Sequence, residues 1–346
     1  MTPPAIQEAF LYQSKACANL GSPFMERLMA LCGTMEWPEG SVRDRIFAWQ
    51  GDISPAGQSV PLRLAGALHA LHLLGHVGLR QVYPPNIVSD TQLWNAVSRA
   101  LVADADHINA WLDSAPQTNE VRRSAALIPV GHLLADRFGL PLRTSELGAS
   151  GGLNLHWDAY ALQLGDTTRG ASDPALTLAP DWTGPYPPDT AVTIASRGGV
   201  DLNPLNPAHP DQALRLQAYL WPDQPERLTL TRAAIATAQT PVDQGDAIDW
   251  IKPRLTHVKG QTHLIYSTVA WQYFPAAKQA EGTALIEEAG KSATADTPLA
   301  WFGMENDNSG HGAALTLRLW PGNVTLDLGR ADFHGRWIAW ADRGAA

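Results

Sequence analysis

The sequence predicts an α/β protein in which an all-helical N-terminal module precedes a mostly parallel sheet. Up to about Phe138, apolar residues recur three and four positions apart, which is the period of amphipathic helices. From Leu142 onward, short strand-like runs alternate with helical ones, as is typical of parallel strands joined by helices. We therefore place the helical module at residues 1–138 and the sheet domain at residues 139–346.

Composition and charge exclude several classes of protein. With 346 residues, 45% of them hydrophobic, the chain can bury one large core or two ordinary ones. It has 25 Lys and Arg against 34 Asp and Glu, a formal net charge of −9, and this field repels nucleic acid and acidic membrane surfaces. We find no secretory leader, no apolar run of membrane-spanning length and no Cys-x-x-Cys spacing. We expect a cytoplasmic protein with reduced thiols and with neither nucleic acid nor membrane as a partner.

Five amphipathic segments predict the helices of the N-terminal module. Prolines and glycines separate them, which suits short connections between antiparallel helices. The segments are IQEAFLYQSKACANL, PFMERLMALC, LRLAGALHALHLLGHVGL, LWNAVSRALVADADHINAWL and EVRRSAALIPVGHLLADRF.

Five strands and four helices are predicted for the sheet domain. The strands are Leu142–Leu147, Ala191–Ser196, Pro241–Gly245, His263–Thr268 and Leu299–Glu305. The helices lie near Asp211–Leu220, Pro225–Ala238, Ala247–Leu255 and Ala277–Ala289. A hairpin and a Pro/Gly-rich loop at about residues 157–190 interrupt the alternation, and the C-terminal region predicts two or three antiparallel strands.

A glycine-rich segment follows the first predicted strand and fits two motifs. Gly148-Ala149-Ser150-Gly151-Gly152 matches Gly-x-Ser-x-Gly, the sharp turn that exposes the nucleophile of a serine hydrolase. The run from Glu146 to Gly152 also matches acid-x-Gly-x-(Gly/Ser)-x-Gly, in which bare backbone passes close to a nucleoside and leaves N–H groups to bind it. A plain strand-to-helix turn is the third interpretation.

The position of this segment in the chain favours the nucleoside interpretation. A nucleophile elbow normally follows several strands of its sheet, whereas these glycines follow the first predicted strand. No Gly-Lys-Ser/Thr follows them, which excludes a P-loop. The hydrolase stays open, with Ser150 as nucleophile and His311 or His334 with Asp307 as base and acid.

Polar residues also follow the other predicted strands. Asp201 comes after the second strand, where an acid can accept hydrogen bonds from a ribose diol, and Asp246 comes after the third, where a carboxylate can meet an adenine amino group. Ser267 and Thr268 end the fourth strand, and Glu305 ends the fifth. Because open parallel sheets bind ligands at the carboxyl ends of their strands, we expect these side chains to share one edge.

This ordered set resembles the class I S-adenosylmethionine-dependent methyltransferases over about residues 140–340. The resemblance implies a Rossmann-like fold and S-adenosylmethionine as cofactor. It matches the glycine-rich first motif of that class to Glu146, Gly148, Ser150 and Gly152. It further assigns Asp201 to the ribose, Asp246 to the adenine side, and Ser267 with Thr268 to the motif after the fourth strand.

Six segments resemble a bacterial family known as a domain of unknown function, the one numbered 2332. This resemblance spans nearly the whole chain and implies the architecture without naming a reaction. The segments are TNEVRRSAALIP, ELGASGGLNL, DLNPL, WPDQPERL, STVAWQYFP and HGRW.

Methyl transfer also requires a group that takes the proton of the acceptor. If the strands after the fifth run down and back up, the turn that contains His334 returns to the ligand edge. His334 is then the first choice for a base because histidine titrates near neutrality, with Glu305 and Ser267 beside it. The ordinary alternative is that His334 is a structural hydrogen-bonding residue.

Two further groups are candidates for binding the substrate. Trp271 and Tyr273 can stack on a substrate ring or hold a cationic sulfonium, unless they simply pack in the core. Asn119 and Glu120 begin the helix before the first strand and are expected to close over the ligand, with Arg122 pairing with a carboxylate. The alternative for these three is a capped helix start with a surface charge pair.

Our leading hypothesis is an enzyme that methylates an unidentified small molecule. The alternatives are a non-catalytic nucleoside-binding sensor or regulatory module, and a serine hydrolase that uses Ser150. We expect no metal site, because His69, His72 and His76 lie on an apolar helix without the Glu of a His-Glu-x-x-His motif. A homodimer is left open.

Overall fold

A computed structural model describes residues 2–55 and 57–341, so the last five residues of the predicted sheet domain lie outside the described part. Contacts divide the chain into two compact units. The first unit comprises Met1–Thr118 and Pro210–Thr229, and the second comprises Asn119–His209 and Leu230–Ala346.

Helices fill the N-terminal region and alternate with strands after it. The α-helices are α1 Pro4–Asn19, α2 Pro23–Thr34, α3 Ser41–Phe47, α4 Val60–Leu73, α5 Val77–Arg80, α6 Asp90–Ala103, α7 Ala105–Leu112, α8 Ser124–Phe138, α9 Pro210–Ala218, α10 Pro225–Thr237, α11 Ala247–Arg254 and α12 Ala276–Lys291. Short 3₁₀ turns lie at Val121–Arg123, Leu153–Ala159 and Trp271–Tyr273.

The first unit is helical and has its own apolar core. Local contacts explain why residues 210–229 belong to it although they come much later in the chain. The carboxylate of Asp223 accepts the N–H of Phe24 at 2.8 Å at the start of α2. Gly66 of α4 leaves room for the ring of Tyr219, since a Cβ there would lie 2.5 Å from that ring.

Helix α8 belongs to the second unit, whereas the sequence-based boundary at residue 138 assigns it to the helical module. Leu127 and Val130 of α8 are fully buried in a core shared with Leu142 and Phe302 of the sheet. Gly131 leaves space for the indole of Trp157, because a Cβ there would lie 2.2 Å from the indole ring. The contacts therefore place the start of the second unit at Asn119.

The strands follow the predicted order. They are β1 Leu142–Leu147, β2 Ala161–Leu164, β3 Thr167–Gly170, β4 Thr177–Leu178, β5 Asp181–Thr183, β6 Ile194–Asp201, β7 Asp243–Gln244, β8 Thr262–Thr268, β9 Leu299–Glu305, β10 Ala313–Trp320, β11 Val324–Ala331 and β12 Trp337–Trp340. The predicted bounds of β1 and β9 are confirmed without change.

The main sheet has nine strands in the order β7-β6-β1-β8-β9-β10-β11-β12-β5. The pairs from β7 to β9 are parallel, the pairs from β9 to β12 are antiparallel, and β5 lies parallel to β12 at the far edge. The insertion after β1 forms a separate small sheet, β3-β2-β4, before β5 joins the main one. The chain is therefore an α/β protein with a mixed, mostly parallel sheet.

The order of the parallel strands reverses at β1. From β1 the chain moves through β6 to β7 at one side, and it then returns to place β8 and β9 on the other side of β1. Loops that leave β1 and β8 at their carboxyl ends therefore connect to opposite halves of the sheet. Such a reversal opens a crevice outside the strand ends, and ligands of open α/β sheets bind there.

Strand β6 extends beyond the predicted run Ala191–Ser196. It covers Ile194–Asp201, so Asp201 is the last residue of the strand and does not lie in a loop. In the structure Gly199 makes room for a neighbouring loop, because a Cβ there would lie 2.7 Å from Cβ of Ala149.

The C-terminal strands return the chain to the carboxyl edge of the parallel strands, as predicted. Strand β10 runs antiparallel to β9 with Ala314 opposite Glu305, and β11 runs back with Ala331 opposite Ala313. The β9–β10 loop and the turn after β11 therefore lie at the same edge as the end of β8.

Within the described residues, no helix is both long enough and apolar enough to cross a bilayer.

We predict that Gly199→Ala lowers the free energy of unfolding by about 1–3 kcal/mol, because the added Cβ overpacks against Ala149. Gly303→Ala in β9 is the matched control. A Cβ there meets only Cγ of Glu305 at 3.6 Å, and removing glycine from a strand interior stabilises by about 0.5–1 kcal/mol. Urea denaturation of both variants measures the difference, and equal losses would contradict the packing described for Gly199.

Candidate functional site

Candidate residues of the second unit converge at the carboxyl ends of the parallel strands. The N–H of Gly245 donates to the carbonyl of Asp201 at 3.0 Å, which joins the loop after β7 to the end of β6. The guanidinium of Arg123 donates to the carbonyl of Thr268 at 3.0 Å and to that of Phe333 at 3.0 Å. Arg123 thus connects the end of β8 with the turn after β11.

The glycine bend, residues 148–152, follows β1 in a left-handed backbone conformation. Gly148, Ser150 and Gly152 have φ angles of 79°, 53° and 71°. The N–H groups of Gly148 and Ala149 donate to the carbonyl of Val200 at 2.9 and 3.0 Å. A left-handed conformation costs little at glycine but about 1–2 kcal/mol at a residue such as Ser150. The bend is therefore held in a strained shape by its contacts with β6.

Packing within the protein explains the missing side chains at Gly148 and Gly152. A Cβ at Gly148 would lie 2.5 Å from Cβ of Ala270, and one at Gly152 would lie 2.9 Å from Cγ2 of Val242. The protein itself fills these two sides of the bend. Ser150, between these two glycines, is also mostly buried, with 6% of its surface exposed.

Asp201 faces the glycine bend from the end of β6. Its Oδ2 accepts the N–H of Ser150 at 2.9 Å, and its Oδ1 accepts the N–H of Asn203 at 2.9 Å. A carboxylate has about four lone-pair sites, so two hydrogen bonds leave acceptor capacity on both oxygens. Asp201 therefore stabilises the bend and can still accept a further hydrogen bond.

Asp246 caps a helix at the position where an adenine contact is predicted. Its Oδ1 accepts the N–H of Ile248 at 2.9 Å and that of Asp249 at 3.1 Å, which satisfies the start of α11. The ammonium of Lys278 lies 3.3 Å from the same oxygen. Its contacts in the structure are thus those of a helix cap and an ion pair.

Glu146 is a buried acid at the end of β1, with 1% of its surface exposed. Burial raises the pKa of Glu146 well above its ordinary value, the Tyr266 hydroxyl at 3.5 Å acts against this rise, and the charge of Asp201 adds to it. The same hydroxyl donates to the carbonyl of Asn154 at 3.1 Å. Glu146 therefore favours its protonated form beneath the bend.

The segment after β8 contains a strained residue. Ser267 and Thr268 end the strand with 1% and 5% of their surfaces exposed. Val269 follows at φ 55°, which is rare for a β-branched residue, and its N–H donates to the carbonyl of Met304 at 2.8 Å. Strained positions of this kind occur most often at active sites and ligand clamps.

The carboxylate of Glu305 closes the turn after β8. It accepts the N–H groups of Ala270 and Trp271 at 3.1 Å each and that of Gln272 at 3.3 Å. Burial raises the pKa of Glu305, while these hydrogen bonds and the hydroxyl of Ser267 oppose the rise. Three main-chain donors thus occupy most of the acceptor capacity of this carboxylate.

His334 lies in the turn between β11 and β12, at the carboxyl edge. The main-chain N–H of His334 donates to Oδ1 of Asp332 at 3.0 Å, and Asp332 also pairs with Arg336 at 2.7 Å. Gly335 in this turn packs against Arg122, since a Cβ there would lie 2.4 Å from the carbonyl oxygen of Arg122. The structure therefore brings His334 next to the 3₁₀ turn that starts the second unit.

Asn119 and Glu120 support the glycine bend. The side-chain oxygen of Asn119 accepts the N–H of Leu153 at 2.9 Å, and the carbonyl of Glu120 accepts the amide of Asn154 at 3.2 Å. The Glu120 carboxylate is buried and lies 3.3 Å from Nε of Arg122. In the structure these residues fix main-chain atoms, and their contact with a substrate stays a prediction.

The two aromatic candidates differ in their surroundings. Trp271 packs edge-on against Trp301, with 5.2 Å between the ring centroids, and against Phe274 at 5.3 Å. Tyr273 is 73% exposed. Trp271 therefore combines packing with a partly accessible ring, whereas Tyr273 points to solvent.

The hydrolase candidates do not contact one another. Ser150 is 6% exposed, and no described residue hydrogen bonds to its hydroxyl. Asp307 pairs with Arg330 at 3.0 Å, and the ring of His311 stacks on Trp337 with 4.7 Å between centroids. The nucleophile is therefore without the adjacent base that a serine hydrolase requires.

The histidines of α4 and its C-terminal end make ordinary protein contacts. Nδ1 of His69 lies 3.1 Å from the carbonyl oxygen of Ala218, and Nε2 of His76 lies 3.1 Å from Asp104. In the part of the chain that the structure describes, no group of three or more His, Cys, Asp or Glu side chains is placed to hold a metal ion.

Sequence reasoning missed two residues that shape the bend. Asn154 accepts the hydroxyl of Ser124 at 2.6 Å and donates to the carbonyl of Glu120, which ties the end of the bend to the start of α8. Tyr266 places its hydroxyl beneath the bend from β8. An asparagine two residues after a glycine-rich turn is a usable signal, whereas a tyrosine inside an apolar strand gives none.

Comparison with known proteins gives one result. A family model described as "Uncharacterized protein conserved in bacteria (DUF2332)" matches residues 7–340. No curated protein and no solved structure matches the chain.

We predict that Glu146→Gln gains stability relative to the wild type as pH rises. The folded wild type retains a proton on Glu146 that the unfolded chain loses above its ordinary pKa of about 4.3. The wild type therefore loses stability between this pH and the raised pKa of the folded state. Denaturation at pH 5 and pH 8 measures the effect, with the exposed pair residue Glu288 replaced by Gln as control. An equal difference at both pH values would contradict the assignment.

Proposed function

We propose that this chain, a member of the DUF2332 family, binds S-adenosylmethionine at the glycine bend and methylates a small molecule. The proposal includes a Rossmann-like, methyltransferase-like arrangement of β7-β6-β1-β8-β9. It also includes the predicted roles of the residues at the carboxyl ends of these strands.

One observation carries the proposal. The strand order reverses at β1, and at this reversal Asp201 from β6 accepts the N–H of Ser150 from the glycine bend. Ligands of open parallel sheets bind at such a reversal. An acid beside a left-handed bend supplies the acceptor that a ribose diol needs.

The hydroxyl of Ser150 supports the same conclusion. It is buried, and no described residue hydrogen bonds to it. A buried hydroxyl without a partner costs about 1–3 kcal/mol, which a ligand oxygen or nitrogen would recover. Ser150 also adopts a left-handed backbone conformation, which is unfavourable for a residue other than glycine. Backbone strain of this kind occurs at binding sites more often than elsewhere.

The bound cofactor would supply an electrophilic methyl group on a sulfonium. The protein has to align donor and acceptor and exclude water, since in-line displacement depends mainly on positioning. Ser150 and Asp201 would hold the donor. Burial raises the pKa of Glu146 well above its ordinary value, which disfavours a negative charge beneath the donor.

A second candidate is a nucleoside-binding sensor without catalysis. It is favoured by Glu305, whose carboxylate accepts three main-chain N–H groups and is thereby committed to shaping the turn after β8. The distinguishing result is methyl turnover: a sensor binds the cofactor and its thioether product but transfers no methyl group.

We predict that Asp201→Asn weakens binding of S-adenosylhomocysteine at least tenfold, which corresponds to about 1.4 kcal/mol. The amide removes the charge and keeps one accepting oxygen, so only one of the N–H groups of Ser150 and Asn203 retains its acceptor. Asp327→Asn is the matched control, because Asp327 also accepts a main-chain N–H, that of Gly329 at 2.9 Å, on an exposed strand. Isothermal titration calorimetry measures both.

Two outcomes would remove the proposal. The first is a folded wild type that gives no heat with S-adenosylmethionine or S-adenosylhomocysteine. The second is covalent labelling of Ser150 by a fluorophosphonate, which would establish the serine-hydrolase alternative.

A further inference from the structure

A groove of about 240 Å³ lies on one face of the second unit's sheet, over β9 and β10. We call it the β9–β10 groove. It is lined chiefly by Trp271, Trp301, Gly303, Glu305, Thr316 and Arg318. At about 30 Å³ per water molecule this volume is close to eight waters, enough for a ligand of about ten non-hydrogen atoms.

Three pairs of opposite residues on β9 and β10 form the floor of the groove. Glu305 lies opposite Ala314 at the carboxyl end, Gly303 lies opposite Thr316 in the middle, and Trp301 lies opposite Arg318 at the far end. Alternate residues of both strands point to the other face and are buried there. The floor therefore has small side chains in its centre and large ones at its far end.

Gly303 is unusual among the glycines of the sheet. A Cβ at this position would meet a single side-chain atom at 3.6 Å, an ordinary contact, and its φ lies outside the left-handed range. Neither packing nor backbone conformation requires glycine here, although glycine weakens a strand interior. A glycine inside a strand often marks a place where a ligand approaches the backbone. Gly303 thus leaves the middle of the groove floor open to a ligand.

Two tryptophans form one corner of the groove. The rings of Trp271 and Trp301 lie at 69° to each other, with centroids 5.2 Å apart. Gly282 of α12 leaves room for the indole of Trp271, because a Cβ at Gly282 would lie 2.7 Å from that ring. Such a preformed aromatic corner favours a flat, apolar ligand ring.

Arg318 places a positive charge at the far end. Its guanidinium lies 5.7 Å from the ring centroid of Trp301 and 4.9 Å from that of Trp320. It pairs with Glu287 at 2.7 Å, and the Glu287 side chain is 44% exposed. The Arg318 side chain is 22% exposed, so the pair is only partly buried and a ligand carboxylate can share or replace it.

The acids at the opposite end add little free charge. Main-chain N–H groups surround the carboxylate of Glu305, and Arg330 pairs with Asp307. Arg318 is the cationic side chain among the residues that line the groove, and its partner Glu287 is more exposed than Arg318 itself, so a ligand carboxylate can approach the guanidinium from the groove side.

We infer that the β9–β10 groove binds a small aromatic carboxylate, with its ring at the tryptophan corner and its carboxylate at Arg318. The opposite end of the ligand then points to Glu305 and to the turn that contains Ala270, which packs on Gly148. That this ligand is the methyl acceptor rests on the proposed function. The binding itself does not depend on it.

Binding of benzoate and 4-hydroxybenzoate tests the inference, with neutral benzamide and cationic benzylamine as comparison ligands. Ligand-observed NMR and calorimetry measure the dissociation constants. We expect the two carboxylates to bind at least tenfold more tightly than benzamide and benzylamine. Failure of both carboxylates to bind at millimolar concentration, or equal binding of benzylamine, overturns the inference.

Gly303→Val and Arg318→Gln are the informative variants, and each is expected to weaken benzoate binding at least tenfold. Valine fills the floor of the groove and suits a strand, so the melting temperature is expected to stay the same or rise. If this variant does not fold, Thr316→Trp closes the groove from an exposed position on β10. Unchanged benzoate binding in a folded groove-filling variant contradicts the assigned site.

Lys291→Gln is the matched control for Arg318→Gln. Lys291 lines a neighbouring hollow of about 310 Å³ that includes Arg318 but not Gly303. Loss of benzoate binding in Lys291→Gln would place the ligand in that hollow and overturn the inference.

S-adenosylhomocysteine titrated into the same variants separates the two proposals. If benzoate binds but S-adenosylhomocysteine does not, the groove assignment stands and the proposed function is contradicted. If S-adenosylhomocysteine binds but benzoate does not, the proposed function stands and the groove assignment is contradicted.

Discussion

The hydrogen bond from the N–H of Ser150 to the carboxylate of Asp201 fixes the geometry of the candidate site. It joins the glycine bend to the end of β6 at the point where the strand order reverses. A left-handed serine is unfavourable by itself, and this charge-assisted hydrogen bond, together with the contacts of Gly148 and Ala149 to Val200, holds it in place. Everything proposed about a nucleoside depends on this bend keeping its shape.

The glycines of the second unit have two different structural explanations. Gly148, Gly152 and Gly199 are required by the protein, because a side chain at each would collide with a neighbour. Gly303 is not required by its neighbours, and its only evident role is to keep the floor of a groove low. The groove proposal depends on the open floor at Gly303, and the nucleoside proposal depends on the bend around Ser150.

Sequence periodicity predicted the parallel part of the sheet well because helices separate most of its strands from one another along the chain. It placed β1 and β9 correctly and anticipated that the C-terminal strands return to the carboxyl edge. It ended β6 too early, because the packing of Gly199 against Ala149 is a tertiary contact that periodicity does not reveal. It also assigned α8 to the helical module, because periodicity does not reveal which core a helix joins. The roles of single acidic residues were the hardest to predict. Asp246 and Glu305 accept hydrogen bonds from main-chain N–H groups, and these contacts depend on the three-dimensional structure.

Hydrogen–deuterium exchange of the wild type with and without S-adenosylhomocysteine tests the central claim most directly, because it reports the location of binding without any substitution. The proposal expects slower exchange in peptides that cover residues 146–154 and 199–206, with little change in the helices of the first unit. Saturating nucleoside that leaves the exchange of both peptides unchanged would contradict a nucleoside site at the glycine bend.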